Sequence, residues 1–411
     1  MPSKRLVSCT ATAVLVAGLT LTTAPAAYAA DPAGCTRTPK PGGGQTITCT
    51  QGIPAGQTLD GTTGPDTITI TGTVYGTLND QGGADDITIT GISATTPGTA
   101  GAPAIGSTGT VNLTGPSTLR ATGGNAVPAP GNVYPTAGGG DGNQGTINAA
   151  NGSTVRVTGG TGTGPFDSSA GGTGNSGKIV GAVGATVHAT GGPGVDRSTP
   201  VPSGSAGSAG GGGVGNSGSI TGTTVTATGG KGGDVTAPGE GNAGDGGNGN
   251  SIPSGPAPRA SISVNGTVAA LTVTGGNGGS VTTEPTAAAG DGGNANDYDG
   301  ILDGRGTVSA TYLVTGGSAG QNTPNSRLGF RGFGNGNDRT PLSRRGGRIS
   351  DLSPSGVVLV TVSAGLLGQD APVANAPRGI VSAISTPTST CVFKGAQNGG
   401  ATCRVVVNAN L

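Results

Sequence analysis

Five cysteines, one histidine and twenty carboxylates are the groups of this 411-residue chain best suited to chemistry, and their spacing sorts them. Cys9 precedes an apolar N-terminal run, whereas a lipid-bearing cysteine would close it. The other four, Cys35, Cys49, Cys391 and Cys403, form an even set. In an exported chain an even number favours disulfides over a metal or a nucleophilic thiol. Three connectivities exist, and the short spacings favour Cys35–Cys49 and Cys391–Cys403. The second would clip a hairpin turning at Asn398-Gly399-Gly400, between Cys391-Val392-Phe393 and Arg404-Val405-Val406-Val407. Loops this short contribute about 3 kcal/mol each through chain entropy. The single histidine, His188, takes a place that Arg120 and Arg156 hold in related segments, so it reads as an exposed strand residue rather than a general base. No Ser/His/Asp set can be assembled around it. No two carboxylates are singled out at the separation that glycoside hydrolysis requires.

Two acidic phrases stand apart. Gly61-Thr62-Thr63-Gly64-Pro65-Asp66-Thr67-Ile68-Thr69 and Asp80-Gln81-Gly82-Gly83-Ala84-Asp85-Asp86-Ile87-Thr88 each join a Gly-containing turn to an aspartate and an apolar residue. They resemble the nonapeptide G-G-x-G-x-D-x-U-x of RTX-type calcium-binding repeats in secreted bacterial proteins. The resemblance implies Ca2+ held by turn carbonyls and by the carboxylates of Asp66 and Asp85, with the apolar residue pointing inward. Asp66 and Asp85 lie 19 residues apart, close to the two nonapeptides of one turn, and would stack. Both phrases lack the opening Gly-Gly pair, and the likeness covers only 61–91. A further run, Asp297-Tyr298-Asp299-Gly300-Ile301-Leu302-Asp303, has Ala295 where an EF-hand-type loop needs its first ligand and no closing Glu. It reads as a solvated turn.

Charge is neutral overall, twenty against twenty, but unevenly placed. Acids dominate 200–320, and arginines dominate 327–348: Arg327, Arg331, Arg339, Arg344, Arg345 and Arg348 against Asp338. With Phe330 and Phe333 between them, this stretch resembles an RGG-like segment, which implies polyanion binding through Arg344, Arg345 and Arg348. Export would direct it to anionic wall polymers or extracellular DNA rather than intracellular nucleic acid. The ordinary alternative is a solvated loop against the acidic units.

These residues need a frame to position them. The chain holds 88 glycines and 28 prolines, no Trp and one Met. Against a usual Gly plus Pro share of roughly 12%, that excludes a coiled coil, a membrane protein and an ordinary α/β enzyme with a wide core. Residues 1–29 read as a signal peptide, with Lys4-Arg5, an apolar run and Ala27-Tyr28-Ala29. The expected location is extracellular, secreted or non-covalently attached to the cell surface, with no membrane span.

Six segments then share one ending, Thr-Gly-Gly, at Thr122, Thr158, Thr190, Thr228, Thr274 and Thr315. Their separations are 36, 32, 38, 46 and 41 residues, a repeated unit with variable loops. Within Leu119-Arg120-Ala121-Thr122 and its counterparts, apolar and polar residues alternate as in a half-buried strand. The paired glycines are expected to end the strand where the backbone turns. A second phrase precedes the strands, as in Gly140-Asp141-Gly142-Asn143, Gly172-Thr173-Gly174-Asn175 and Gly213-Val214-Gly215-Asn216, and in longer form at Gly244–Asn248 and Gly290–Asn294.

Each unit is too poor in apolar residues to close a core alone, so stacking is required. The predicted fold is an all-β β-solenoid, parallel β-helix-like, with long Gly/Pro-rich loops and disulfide-clipped ends. The expected divisions are an N-terminal cap at 30–60, repeats at 61–320, an Arg/Gly-rich loop at 321–353 and a C-terminal β cap at 354–411. Threonine ladders such as Thr67/Thr69/Thr71 and Thr224/Thr226/Thr228 are like those of ice-binding solenoids, but strand propensity alone explains them, and the variable spacing predicts no long flat array. The Gly-Gly-Asn-rich stretches resemble PGRS-type surface proteins. The functional expectation is a structural or adhesive scaffold, calcium-stabilised, meeting extracellular glycans or anionic polymers. The alternatives are a carbohydrate-active β-helix enzyme and a polyanion-binding module.

Overall fold

The computed structural model describes residues 30–127, 137–163, 170–198, 208–237, 241–251, 260–282, 288–297, 300–323, 327–335, 348–351, 357–365, 380–384, 390–394 and 402–406; in the last three strands only the side chains of Thr390 and Val392 are included. The signal peptide expected at 1–29 lies outside the described residues. Among the described residues no helix is long and apolar enough to cross a membrane.

The strands begin with β1 (Cys35–Pro39), β2 (Gln45–Cys49), β3 (Thr58–Asp60), β4 (Thr67–Thr71), β5 (Thr77–Asn79), β6 (Asp86–Thr90) and β7 (Thr110–Leu113). Next come β8 (Thr118–Thr122), β9 (Thr146–Ala149), β10 (Thr154–Thr158), β11 (Lys178–Gly181), β12 (Thr186–Thr190), β13 (Ser219–Gly222) and β14 (Thr224–Thr228). The last are β15 (Ser261–Thr274), β16 (Ile301–Thr315), β17 (Arg348–Asp351), β18 (Val357–Ser363), β19 (Ile380–Ile384), β20 (Thr390–Lys394) and β21 (Thr402–Val406).

They pair in two parallel stacks, each strand with its counterpart one coil away. The first stack runs β2, β4, β6, β8, β10, β12, β14, the second halves of β15 and β16, β18 and β20. The second runs β3, β5, β7, β9, β11, β13, the first halves of β15 and β16, β17, β19 and β21. A third line is made of single parallel bridges, Ile53 to Val74 to Ile105 to Asn143, then on through Asn175, Asn216, Asn250, Asn296 and Asn335. This is a β-solenoid.

Strand alternation fills the interior. One inward file of the first stack is Ile47, Ile68, Ile87, Leu119, Val155, Val187, Val225, Leu271, Tyr312 and Val360, every member buried. Beside it Cys49 opens a second file, and its bond to Cys35 ties the antiparallel strand β1 over the end of the stack. Tyr312 is the one aromatic in the first file among the described residues. Its hydroxyl donates to Asp351 Oδ2 at 2.6 Å, and Gly304 leaves it room, since a Cβ there would sit 1.6 Å from that oxygen.

On the third line a buried amide ladder replaces aliphatic side chains. Asn143 Nδ2 donates to Asn175 Oδ1 at 2.7 Å, Asn175 to Asn216 at 2.7 Å, Asn216 to Asn250 at 2.8 Å, Asn250 to Asn296 at 2.9 Å and Asn296 to Asn335 at 2.8 Å. The ladder satisfies polar groups that burial would otherwise penalise.

The Thr-Gly-Gly segments depart from expectation. Their glycines do not turn the chain, and none has φ in the left-handed region. The backbone instead runs on into an arm that returns at the Gly-x-Gly-Asn phrase. Outgoing and returning segments alternate in one chain of backbone hydrogen bonds: Gly140 N to Gly124 O, Gly160 N to Gly140 O, Gly172 N to Gly160 O, Gly192 N to Gly172 O, Gly213 N to Gly192 O and onward to Gly365, each at 2.7–3.0 Å. A Cβ at Gly160 or Gly192 would lie 2.0 Å from a neighbouring carbonyl oxygen. Glycine is required here for close approach, not for φ. Farther out a second chain links Gly210, Gly233, Gly244, Gly279, Gly290 and Gly320, beside a small apolar cluster of Ala209, Val235, Ala243 and Val281.

Three expectations about the ends are corrected. The stacks begin at β2 and β3, so within 30–60 only β1 acts as a cap. Residues 327–335 are not a loop. They form the return segment of another arm, with Phe333 buried and Asn335 in the ladder, and β17 continues the second stack. Finally, β20 and β21 do not form a hairpin: β20 pairs in parallel with β18, and β21 with β19. A repeat that alternates between two stacks places successive strands apart.

Candidate functional site

Asp66 and Asp85 lie one above the other in adjacent coils, as their spacing predicts, because Thr67 pairs with Asp86. Both are buried, and Asp80 is buried with them. Their acceptors are largely committed. Asp66 Oδ1 accepts from Gln45 N at 2.6 Å and Thr62 Oγ1 at 2.8 Å, and Oδ2 accepts from Thr62 N. Asp85 Oδ1 accepts from Asp66 N at 2.6 Å. Asp80 Oδ1 accepts from Thr114 N at 2.7 Å and Thr114 Oγ1 at 2.6 Å, and Asp80 Oδ2 from Ser117 Oγ at 2.8 Å. Among the described residues no three metal-ligating side chains gather at a point. As placed, this donor set does not fit a calcium ion, because N–H and O–H groups occupy the acceptors a cation would need.

One acceptor is left over. Asp85 Oδ2 is buried without a hydrogen-bond partner among the described residues. Burial pushes the Asp85 carboxyl up to about 6, against the lowering effect of the Asp66 N–H and with added repulsion from Asp80 and Asp66. The cluster thus works as a stack of caps for backbone N–H groups, with one member poised to hold a proton.

The second candidate is the outer face of the first stack. Three outward files run along it in register. The middle file reads Thr48, Thr69, Thr88, Arg120, Arg156, His188, Thr226 and Thr272. One flanking file is threonine without a break from Thr71 through Thr90, Thr122, Thr158, Thr190, Thr228 and Thr274 to Thr315. One threonine file thus runs unbroken despite the variable repeat lengths, which are absorbed outside the strands, while Arg120, Arg156 and His188 interrupt the paired threonine ladders in the middle of the face. Arg120 pairs with Asp86, while Arg156 makes no ion pair among the described residues. His188 is half-buried, and burial followed by repulsion from Arg156 holds its pKa below the ordinary value.

The remaining predicted residues are not brought together. Arg344 and Arg345 lie outside the described residues, and Arg348 is exposed at the start of β17. Cys391 and Cys403 stand on β20 and β21 in different stacks, and their side chains lie outside the described residues. In the 297–303 run, Tyr298 and Asp299 are outside the description, Asp297 accepts from Asn294 Nδ2 at 2.9 Å, and Asp303 accepts from Ser350 Oγ. Gly316-Gly317-Ser318-Ala319-Gly320 spells Gly-x-Ser-x-Gly, but it lies in a glycine arm, with Ser318 N donating to Asn277 Oδ1 at 3.0 Å, and not on a strand-to-helix turn. Two surface grooves of about 320 and 430 Å3 run beside the second stack. The first is lined by Gln144, Ser176, Lys178 and Ser219, the second by Asn79, Gln81, Asn112 and Asn148, without a carboxylate in either. Compared with known families, curated proteins and solved structures, the chain matches none of them.

Proposed function

We propose that this chain is an exported scaffold, structural or adhesive, that presents its variable segments at or beyond the cell surface. The observation that supports this reading is the separation of constant from variable parts. Strands, amide ladder and glycine chains keep one register, while the spacing of the repeats changes from 32 to 46 residues. Side chains are thereby spent on internal stacking, and the length differences fall both between the outgoing and returning arm segments and, in the longest repeat, between Asn250 and Thr274. The likeness of the Gly-Gly-Asn-rich arms to PGRS-type surface proteins favours the same role.

Replacing residues 199–207 by a short Gly-Ser linker tests the reading. The expected result is an unchanged β spectrum and melting temperature, with altered retention on cells or on a glycan array. Loss of the fold would show that the segment is part of the frame rather than something it carries.

A further inference from the structure

We infer that the middle of the outer threonine face binds a linear acidic polysaccharide, held along the file Arg120, Arg156 and His188. These three residues are in-register neighbours on β8, β10 and β12. Parallel strands lie about 4.8 Å apart, so the three side chains leave the sheet at that spacing. Like charges placed opposite one another across strands are destabilising. Asp86 relieves Arg120 from the preceding coil, but Arg156 has no ion-pair partner among the described residues, and the imidazole of His188, held below its ordinary pKa, stands beside it as a neutral hydrogen-bonding group. An anion lying along the file supplies the missing counter-charge.

The flanks define what kind of anion fits. On one side stand Thr118, Thr154 and Thr186, and on the other Thr122, Thr158 and Thr190. The rows are therefore hydroxyl, guanidinium, hydroxyl on β8 and β10 and hydroxyl, imidazole, hydroxyl on β12, with about 6.6 Å from one side chain to the next. Guanidinium groups bind carboxylate or sulfate through paired N–H donors, and threonine hydroxyls both donate to and accept from sugar hydroxyls. Two coils span about 9.6 Å, close to an extended disaccharide, so a polymer with one acidic group per sugar presents one to each coil. Nucleic acid fits less well. The three files hold no Phe, Tyr or Trp in these coils for bases to stack on, and two arginines are few against the six to ten phosphate contacts of a typical DNA binder.

The inference rests on the scaffold reading only in needing this face open to the outside. Affinity electrophoresis of the full exported chain through gels carrying polygalacturonate, heparin, neutral hydroxyethyl cellulose or duplex DNA tests it. Polygalacturonate and heparin should retard the protein, and the neutral polymer should not. Arg120→Gln and Arg156→Gln should each weaken retardation about tenfold, the cost of one charge-assisted contact, with circular dichroism and melting unchanged. Lys178→Gln, on the other stack, should leave it as it is. No retardation by either acidic polymer, equal retardation by DNA, or loss only in a combined Arg344/Arg345/Arg348→Gln variant overturns the site. Failure of binding by a chain that melts normally leaves the scaffold reading standing.

Discussion

Asp85 carries a carboxyl whose folded pKa is pushed from the ordinary 3.8 to about 6, so it couples stability to pH. Below about pH 4 both folded and unfolded chains hold the proton. As pH rises from about 4 to 6 the unfolded chain ionises first, so stability falls, and it levels off above 6. About 2–3 kcal/mol is involved, and Asp66, Asp80 and Lys40 modulate it. Urea midpoints measured from pH 4 to 7.5 should show this fall, and Asp85→Asn should flatten it and raise stability at pH 7. The same cluster predicts no measurable rise in melting temperature with millimolar calcium; a rise would show the carboxylates re-aimed around an ion. The Asp66–Asp85 stack was legible from a spacing of 19, but the partners were not, since Gln45 and Ser117 come from neighbouring coils 21 and 32 residues away. The amide ladder was half legible. The Gly-x-Gly-Asn phrase contains Asn143, Asn175 and Asn216, yet in the longer copies the ladder uses Asn250 and Asn296, two residues beyond Asn248 and Asn294. Asn216→Ala removes the donor to Asn250 Oδ1 and the acceptor of Asn175 Nδ2, and should cost about 2–4 kcal/mol by denaturant unfolding.

At the scale of elements, the chain uses glycine for two different reasons, and substitution separates them. Gly56 has φ of 76° with nothing within 4 Å of the position a Cβ would take, so Gly56→Ala should cost about 1–2 kcal/mol through backbone conformation alone. Gly192 has an ordinary φ, but its Cβ would lie 2.0 Å from Gly160 O. Gly192→Ala must push one arm off its neighbour and should cost more than about 2–3 kcal/mol. Hydrogen exchange should show lost protection of the arm amides, including Gly192 N and Gly213 N, before loss at the strand amides of β10 and β12. A sequence reading sees Gly-Gly and infers a turn, because a turn is a local property. The contact that excludes Cβ is with another coil, so it has no local signature.

At the scale of the whole molecule, each coil touches mainly its neighbours, so stability is close to a sum of coils and interfaces. Excising residues 160–191, one Thr-Gly-Gly frame to the next, should leave a folded chain in which β10 meets β14, with the β spectrum retained and melting lowered by a few degrees. Excising only 160–175 keeps β11 and β12 but removes Gly160, Gly172 and Asn175, so it interrupts the glycine chain and the amide ladder at one coil and should lower melting more than removal of the whole coil. The Cys35–Cys49 bond sits at one end of this one-dimensional array. Replacing both cysteines by serine should cost up to about 3 kcal/mol and expose the amides of β1 and β2 while leaving those of β12 protected.

Alternation within Leu119–Thr122 and its counterparts, the recurrence of Thr-Gly-Gly and the lack of bulky apolar residues determined that the chain stacks strands into a narrow solenoid. They also predicted which side chains point inward, because period two is a property of the strand itself. Only the tertiary structure decided what the glycines do, where the repeats stop and how Arg120, Arg156 and His188 line up, because those are relations between coils. Residues 32 to 46 positions apart become neighbours through register, and register is set by the packing of whole coils, which no short window of sequence contains.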